Sequence, residues 1–151
     1  MPIKTFRGLI ANNTQEEINL RTNNGKTGYR IVKFQVLGIN EDVDYETVVQ
    51  IFKTRQTTIA DTINFSDNDL LAAALYGDAT STSTQALGTV IFDQEIFNQN
   101  IYVTTKATTG TTSINYYLEL EQIKLNDNES TMATLQSIRS SYESYRPAGP
   151  S

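Results

Sequence analysis

The stretch INYYLELEQIKL, residues 114–125, begins by alternating apolar side chains with more polar ones. Its apolar side chains share one parity: Ile114, Tyr116, Leu118 and Leu120. Because side chains alternate between the two faces of a β-strand, this pattern predicts a strand with one face in a core. The two glutamates of the other parity, Glu119 and Glu121, are expected to point to solvent.

The parity of the apolar residues changes at the end of this stretch, where Ile123 and Leu125 follow Gln122. A β-bulge near residues 121–122 would produce this change if both halves of the strand face one core. Residues 29–37 form a second predicted strand, and their apolar side chains occupy both parities. That strand is therefore either covered on both faces or interrupted by a bulge.

Other segments have the apolar and β-branched composition of strands. They are residues 3–11, 17–22, 46–53, 89–92 and 100–106. Residues 23–26, NNGK, and residues 107–112, which include Gly110, contain the Asn and Gly that accept positive φ in tight turns. Both segments therefore predict β-hairpins between the strands that they connect.

Two segments have helical signals. Residues 66–69, SDND, resemble a capping box, and the run LLAAAL that follows has apolar residues at helical spacing before Gly77, which predicts a short helix near residues 67–76. Residues 126–128 offer capping side chains for a C-terminal helix that ends before Pro147. The apolar residues of that helix recur at three- and four-residue spacing: Leu135, Ile138, Tyr142 and Tyr145. This stripe is expected to dock either on the protein's own sheet or on a neighbouring subunit.

The predicted fold class is all-β: an antiparallel β-sandwich, for which a jelly roll is one arrangement, with one short inserted helix and a C-terminal helix. Residues 1–125 are assigned to the sandwich, including the short helix near 67–76, and residues 126–151 to the C-terminal helix and tail. A chain of 151 residues can bury roughly two thirds of its unfolded surface, which is enough for one domain without cross-links.

The composition excludes several classes of site. The chain has no cysteine and no histidine, so it has no disulfide framework, no thiolate metal site and no Ser-His-Asp triad. Its net charge is −5 and its basic residues are scattered, so nucleic acid is not an expected partner. No stretch approaches the roughly 20 apolar residues of a membrane span, so no membrane partner is expected either.

Glu119 and Glu121 are the one pair that suggests catalysis, because side chains two residues apart on a strand lie ~7 Å from each other. A glycosidase also needs a carboxyl group whose pKa is raised by burial, which a solvated strand face does not provide. Acidic residues also cluster in loops 41–46, 67–69 and 127–129, but none has the pattern of a calcium-binding EF-hand. We therefore predict no catalytic residue, no cofactor and no metal site.

The chain resembles a group of small proteins encoded by marine viruses, mostly tailed bacteriophages. The shared runs are GKTGYRIVKFQ (25–35), INFSDNDLLAAALY (63–76), VIFDQEIFNQNIYVT (90–104), NYYLELEQIKL (115–125) and NESTMATLQSIR (128–139). The resemblance implies a β-sandwich with a structural role in the virion, as a capsid decoration (cement) protein or a head–tail or tail component. It also implies assembly in the host cytoplasm, other virion proteins as partners, and a homo-oligomer or many copies in the particle.

The sequence leaves three functions open. In a structural virion protein, the candidate contact residues are Leu135, Ile138, Tyr142 and Tyr145. In a carbohydrate- or receptor-binding module of a tail or fibre, the Thr- and Asn-rich loops would form the contact surface. In a hydrolytic enzyme, Glu119 and Glu121 would be the reacting pair, although the absence of histidine weighs against this reading.

Overall fold

A computed structural model describes residues 2–39, 45–78 and 87–145. This part of the chain contains eight strands and one helix: β1 (Ile3–Ile10), β2 (Thr14–Ile18), β3 (Thr27–Gly38), β4 (Tyr45–Phe52), β5 (Leu70–Asp78), β6 (Leu87–Ile91), β7 (Ile101–Thr109), β8 (Ile114–Lys124) and α1 (Asp127–Tyr145). The predicted all-β fold with a C-terminal helix is confirmed. In the described ranges, no helix is long and apolar enough to cross a membrane.

The strands form two antiparallel sheets that pack face to face. Sheet A has the strand order β1-β8-β3, and sheet B has the order β2-β7-β4-β5-β6. The hydrogen-bonded pairs β1·β8, β2·β7 and β4·β5 are nested in sequence, as in a long hairpin rolled into a sandwich. This is the winding of an eight-stranded jelly roll, with the difference that β6 pairs with β5 in sheet B.

The central strand of sheet A is β8, and its apolar parity is buried as predicted. Leu118 and Leu120 are completely buried, and they pair across β1 and β3 with residues of the same face. Opposite them, the inner face of sheet B supplies β-branched residues such as Val49, Ile51 and Val103 to one common core. The alternation in β8 therefore places its apolar side chains at the centre of the sandwich.

The bulge predicted as one of two possibilities for residues 29–37 is present, because the pairing of β3 with β8 shifts between Ile31 and Lys33. The bulge predicted near residues 121–122 is wrong, since β8 keeps a continuous register with β3 there, and its pairing with β1 ends at Glu121. The apolar parity changes in β8 for another reason: Leu125 is buried beside Ile96, on the side that the chain near residue 96 covers. Leu125 is therefore apolar on the outer side because a distant segment of the chain covers it, and the local sequence pattern does not show that contact.

Both predicted hairpins are wrong, although their turn residues behave as expected. Gly25 and Gly110 have φ of 66° and 82°, the left-handed region that favours glycine. The segment before β3 nevertheless connects β2 in sheet B to β3 in sheet A, and the segment after β7 connects sheet B to β8 in sheet A. Turn chemistry sets the local bend, but burial of the two inner faces decides which strand is the partner.

The short helix predicted near residues 67–76 is also wrong, since Leu70–Asp78 forms strand β5. The capping-type side chains make local turns instead: the backbone N–H of Asp69 donates to Oδ1 of Asp67 at 2.9 Å. The apolar run is buried on both faces of the sheet, with Leu71 and Ala72 in the central core and Leu70 and Ala73 in a second cluster. A short apolar run covered on two faces has no strand-like alternation, so its period is ambiguous.

Candidate interaction surfaces

Helix α1 begins after Asn126, one of the capping residues predicted at 126–128, and this residue forms a capping box with Glu129. The side chain of Asn126 accepts a hydrogen bond from the backbone N–H of Glu129 at 2.8 Å, and Glu129 Oε1 accepts from the N–H of Asn126 at 3.2 Å. The two bonds satisfy backbone donors that a helix start would otherwise leave free. The sequence alone thus defines where this helix starts.

The direction of α1 is set by a buried amide, Asn98, which lies in the segment between β6 and β7. Its Nδ2 donates to the carbonyl of Gly25 at 2.9 Å and to Oγ1 of Thr134 at 2.8 Å, and it lies 3.4 Å from the carbonyl of Ser130. The hydroxyl of Ser130 in turn donates to the carbonyl of Gly25 at 2.8 Å. One buried amide therefore joins the helix, the turn before β3 and the segment before β7.

The anchored helix leaves its apolar stripe in solvent. Leu135 is 58% exposed and Ile138 is 59% exposed. Further along the helix, Ser137 lies beside Lys53 and Asn100, so α1 crosses the end of the sandwich towards sheet B. The side chains of Tyr142 and Tyr145 lie outside the described part of the structure. For Leu135 and Ile138, docking on the protein's own sheet is not observed.

A second exposed apolar surface lies on the outer face of sheet A. Leu9 and Leu37 are 58% and 67% exposed, and both pair with Asn115 of β8, so the three residues form one row across the sheet. The next row of this face is Arg7, Tyr117 and Gln35. These two rows line a groove of about 470 Å³, which we call the sheet A groove.

The remaining half of this face holds Glu119 and Glu121, and both carboxylates are engaged. Glu121 is buried, contrary to the prediction, and its Oε2 accepts two hydrogen bonds from Arg30, at 3.1 Å from Nε and 2.7 Å from Nη2. Glu119 accepts a hydrogen bond from the hydroxyl of Tyr117 at 2.9 Å, which raises the pKa of that tyrosine, and Lys33 Nζ lies 4.0 Å away. The geometry fits two structural ion pairs.

The outer face of sheet B differs because the chain covers part of it. Phe52, Leu70 and Ala73 are buried there beneath Ile63 and Phe92. Gln50, also on this face, donates from Nε2 to the carbonyls of Ala60 and Thr62 at 3.3 and 3.2 Å. The segment between β4 and β5 therefore serves as a lid for sheet B, whereas the sheet A groove is open to solvent.

The acidic side chains of the described loop residues do not form a cluster that could bind a cation. Within residues 2–39, 45–78 and 87–145, no group of three acidic side chains could hold a metal ion. Asp69 accepts a hydrogen bond from the hydroxyl of Thr54 at 3.1 Å, so its loop is tied to the end of β4. Residues 41–44 lie outside the described residues, and so do residues 79–86, a segment that belongs to the Thr- and Asn-rich loops of the carbohydrate-binding alternative.

Comparison with known proteins identifies no relative of this chain: no family model matches it, and no curated protein is similar to it. The candidate surfaces therefore rest on geometry.

Sequence reasoning found the stripe of α1 but missed Asn98 and the sheet A groove. A buried asparagine has no signature in a single sequence, because the same residue is common in exposed loops. Leu9 and Leu37 had a weak signal, since each continues an apolar strand on the parity opposite to the core. Only the pairing of β1, β8 and β3 brings them into one row.

Proposed function

We propose that this protein is a structural component of a virus particle that acts by protein–protein assembly, either as a capsid decoration (cement) protein or as a head–tail or tail component. It is built into the virion in the host cytoplasm and is present in many copies or as a homo-oligomer. Catalysis has no part in this role. The proposal follows the resemblance of the chain to virion-associated proteins of marine viruses.

The observation that carries the proposal is the solvent exposure of Leu135 and Ile138 on an anchored helix. A free apolar stripe on a helix is costly in water, at about 25 cal/mol per Å² of surface that a partner could cover. The anchor also reduces the entropy cost of binding, because the helix is already ordered in the free protein. A jelly roll occurs in both capsid proteins and lectins, so the fold by itself does not separate the two functions.

The test is incorporation of the protein into particles produced without it. We expect saturable binding of the unaltered protein, and loss of binding when Leu135 and Ile138 are both replaced by Asp. Because both side chains are exposed, the double variant should keep its fold, which circular dichroism checks.

The control is Val90→Asp, which changes an exposed apolar residue of strand β6, away from helix α1. This control should bind particles as the unaltered protein does. Normal incorporation of the folded double variant would contradict the assembly role of the stripe. A protein that ignores particles but binds sugars on a glycan array would support the carbohydrate-binding alternative instead.

A further inference from the structure

We propose that a polar pocket at one end of sheet B binds an acidic sugar through the carboxylate or sulfate group of that sugar. The pocket, which we call the sheet B pocket, has a volume of about 280 Å³. Its lining includes three cationic side chains, those of Arg21, Lys53 and Arg55. This inference goes beyond the proposed assembly role, because it concerns ligand binding by the free protein.

The topology of sheet B brings the lining residues together. Strands β2 and β4 lie on either side of β7, and both run antiparallel to it. The residues that follow β2 and β4 therefore meet the start of β7, where Tyr102 pairs with Glu17. Arg21 follows β2, and residues 53–55 follow β4. Cations from separate parts of the sequence thus reach the same end of the sheet.

Asn100, just before β7, fixes the backbone of the pocket on the β2 side. Its Oδ1 accepts hydrogen bonds from the backbone N–H groups of Leu20 at 2.9 Å and Arg21 at 3.0 Å. Its Nδ2 donates to Oε1 of Glu17 at 2.8 Å. The backbone that carries Arg21 is therefore held in place, while the side chain of Arg21 is exposed at the pocket.

The other two cations are also held in position. The side chain of Lys53 is only 11% exposed, and its Nζ lies 3.0 Å from Oε2 of Glu95. The guanidinium of Arg55 lies over the ring of Tyr102, 5.1 Å from its centroid, and Nη2 donates to Oε2 of Glu17 at 3.2 Å. Side chains that are ordered before a ligand arrives lose little conformational entropy when it binds.

The charge balance favours a ligand with one negative charge. The three cations meet two carboxylates, those of Glu17 and Glu95, so one positive charge is in excess. That charge belongs to Arg21, since no carboxylate of the described residues forms an ion pair with it. The pocket is thus locally positive in a chain whose net charge is −5. The planar fork of a guanidinium matches two oxygens of a carboxylate or a similar oxyanion.

The rest of the lining fits a ligand rich in hydroxyl groups. None of the described lining residues has an aliphatic apolar side chain, and Gln99 and Ser137 add an amide and a hydroxyl. Such groups donate and accept hydrogen bonds, as sugar hydroxyls require, whereas an apolar ligand needs apolar walls. At roughly 30 Å³ per molecule, the volume corresponds to about nine waters, which is more than a bare carboxylate fills and is close to one monosaccharide.

Nuclear magnetic resonance titration of the isotope-labelled protein tests the ligand class. The probes are glucuronate, glucose 6-sulfate, glucose and acetate, each added at low ionic strength. We expect both acidic sugars to shift the backbone amides of Arg21, Lys53 and Gln99 until saturation, and glucose to have no such effect. Acetate should bind more weakly than glucuronate, because it lacks the ring hydroxyls. Salt at ~0.5 M should weaken the binding of both acidic sugars, since it screens the cations.

Arg21→Gln tests the pocket itself. It should weaken the binding of glucuronate by about tenfold or more, the effect of one lost hydrogen bond to a charged group. The side chain is exposed, so the variant should keep its fold, which circular dichroism checks. Arg7→Gln is the matched control, because Arg7 is also exposed and forms no ion pair with a carboxylate of the described residues, but lies on sheet A. This control should bind glucuronate as the unaltered protein does.

Four results would overturn the proposal. Glucose that binds as tightly as glucuronate would exclude a role for the cations, and acetate that binds as tightly would exclude a sugar as the ligand. Unchanged affinity of Arg21→Gln would place binding elsewhere, and a protein that neither acidic sugar saturates has no such site. Incorporation into particles is tested through Leu135 and Ile138, so the assembly role and the sheet B pocket can fail separately.

Discussion

Arg30 donates from both Nε and Nη2 to a single carboxylate oxygen of Glu121, at 3.1 and 2.7 Å. Its Nη1 lies 3.4 Å from the carbonyl of Asp93. The guanidinium therefore joins β3 and β8 to the segment that leads from β6 towards Asn98. Glu121 is one of the two glutamates that suggest a catalytic pair in the sequence. In the structure, its carboxylate holds Arg30 on the outer face of sheet A.

Replacement of Glu121 by Gln should lower the free energy of unfolding by ~1–2 kcal/mol, because a neutral amide replaces the buried carboxylate that accepts two charged hydrogen bonds from Arg30. Thermal unfolding of a chain of this size should shift by ~3 °C per kcal/mol. Glu119→Gln is the control on the same strand face, and it should change the free energy by at most ~0.5 kcal/mol because its nearest cation lies 4.0 Å away. Equal losses in the two variants would contradict the structural role of the Arg30 pair.

Asn98→Ala should lower the free energy of unfolding by ~2 kcal/mol, since it removes the donor to the hydroxyl of Thr134 and one of the two side-chain donors to the buried carbonyl of Gly25. Backbone amides of the first two turns of α1 should also exchange hydrogen faster, because the helix loses its anchor. Chemical denaturation and hydrogen-exchange mass spectrometry measure the two effects. Asn68→Ala, at an exposed turn position, is the control. Unchanged exchange in α1 would show that Asn98 does not hold the helix.

Gly25→Ala should destabilise the protein by ~1–2 kcal/mol from backbone strain, because Gly25 has a φ of 66°. The new Cβ would also lie 3.0 Å from Oγ of Ser130 and 3.2 Å from Nδ2 of Asn98, inside the network that anchors α1. Gly88→Ala is the matched control, since no atom lies within 4 Å of a Cβ at that position in β6. Urea unfolding of both variants tests this contrast, and a stability of Gly25→Ala equal to that of Gly88→Ala would refute it.

Stability should fall at alkaline pH because of Tyr116. Burial raises the pKa of this tyrosine above its ordinary value of 10.0, and the nearby charge and hydrogen bond of Glu16 raise it further. The folded state thus holds the phenol proton more tightly than the unfolded state does. The resulting stabilisation is complete below the unfolded pKa of 10.0 and is lost as pH rises through the raised pKa.

Tyr116→Phe should remove this contribution. The free energy of unfolding of the unaltered protein should decrease more steeply between about pH 9 and 11 than that of the variant. Urea unfolding at a series of pH values measures the two slopes, and tyrosinate absorbance of the folded protein reports the ionisation directly. Parallel slopes would mean that Tyr116 does not titrate differently in the two states.

The sequence of residues 114–125 determined much of this protein by itself. Its alternation predicts a strand with Leu118 and Leu120 in a core, because the two-residue period of a strand is a local property. The capping residues 126–128 and the spacing of Leu135 and Ile138 predict α1 for the same reason. The two parities of residues 29–37 likewise contain the signal of the bulge in β3.

Tertiary structure decided what local patterns leave ambiguous. Leu70 and Leu71 belong to a strand because both faces of β5 are covered, and the turns at Gly25 and Gly110 connect two sheets because the inner faces bury each other. Glu121 is buried because the register of β3 and β8 places it directly opposite Arg30, whose side chain covers its carboxylate. The anchor at Asn98 joins residues that are distant in sequence, and so does the row formed by Leu9 and Leu37. Burial and pairing between such residues depend on the whole fold, because the local period of a sequence does not encode them.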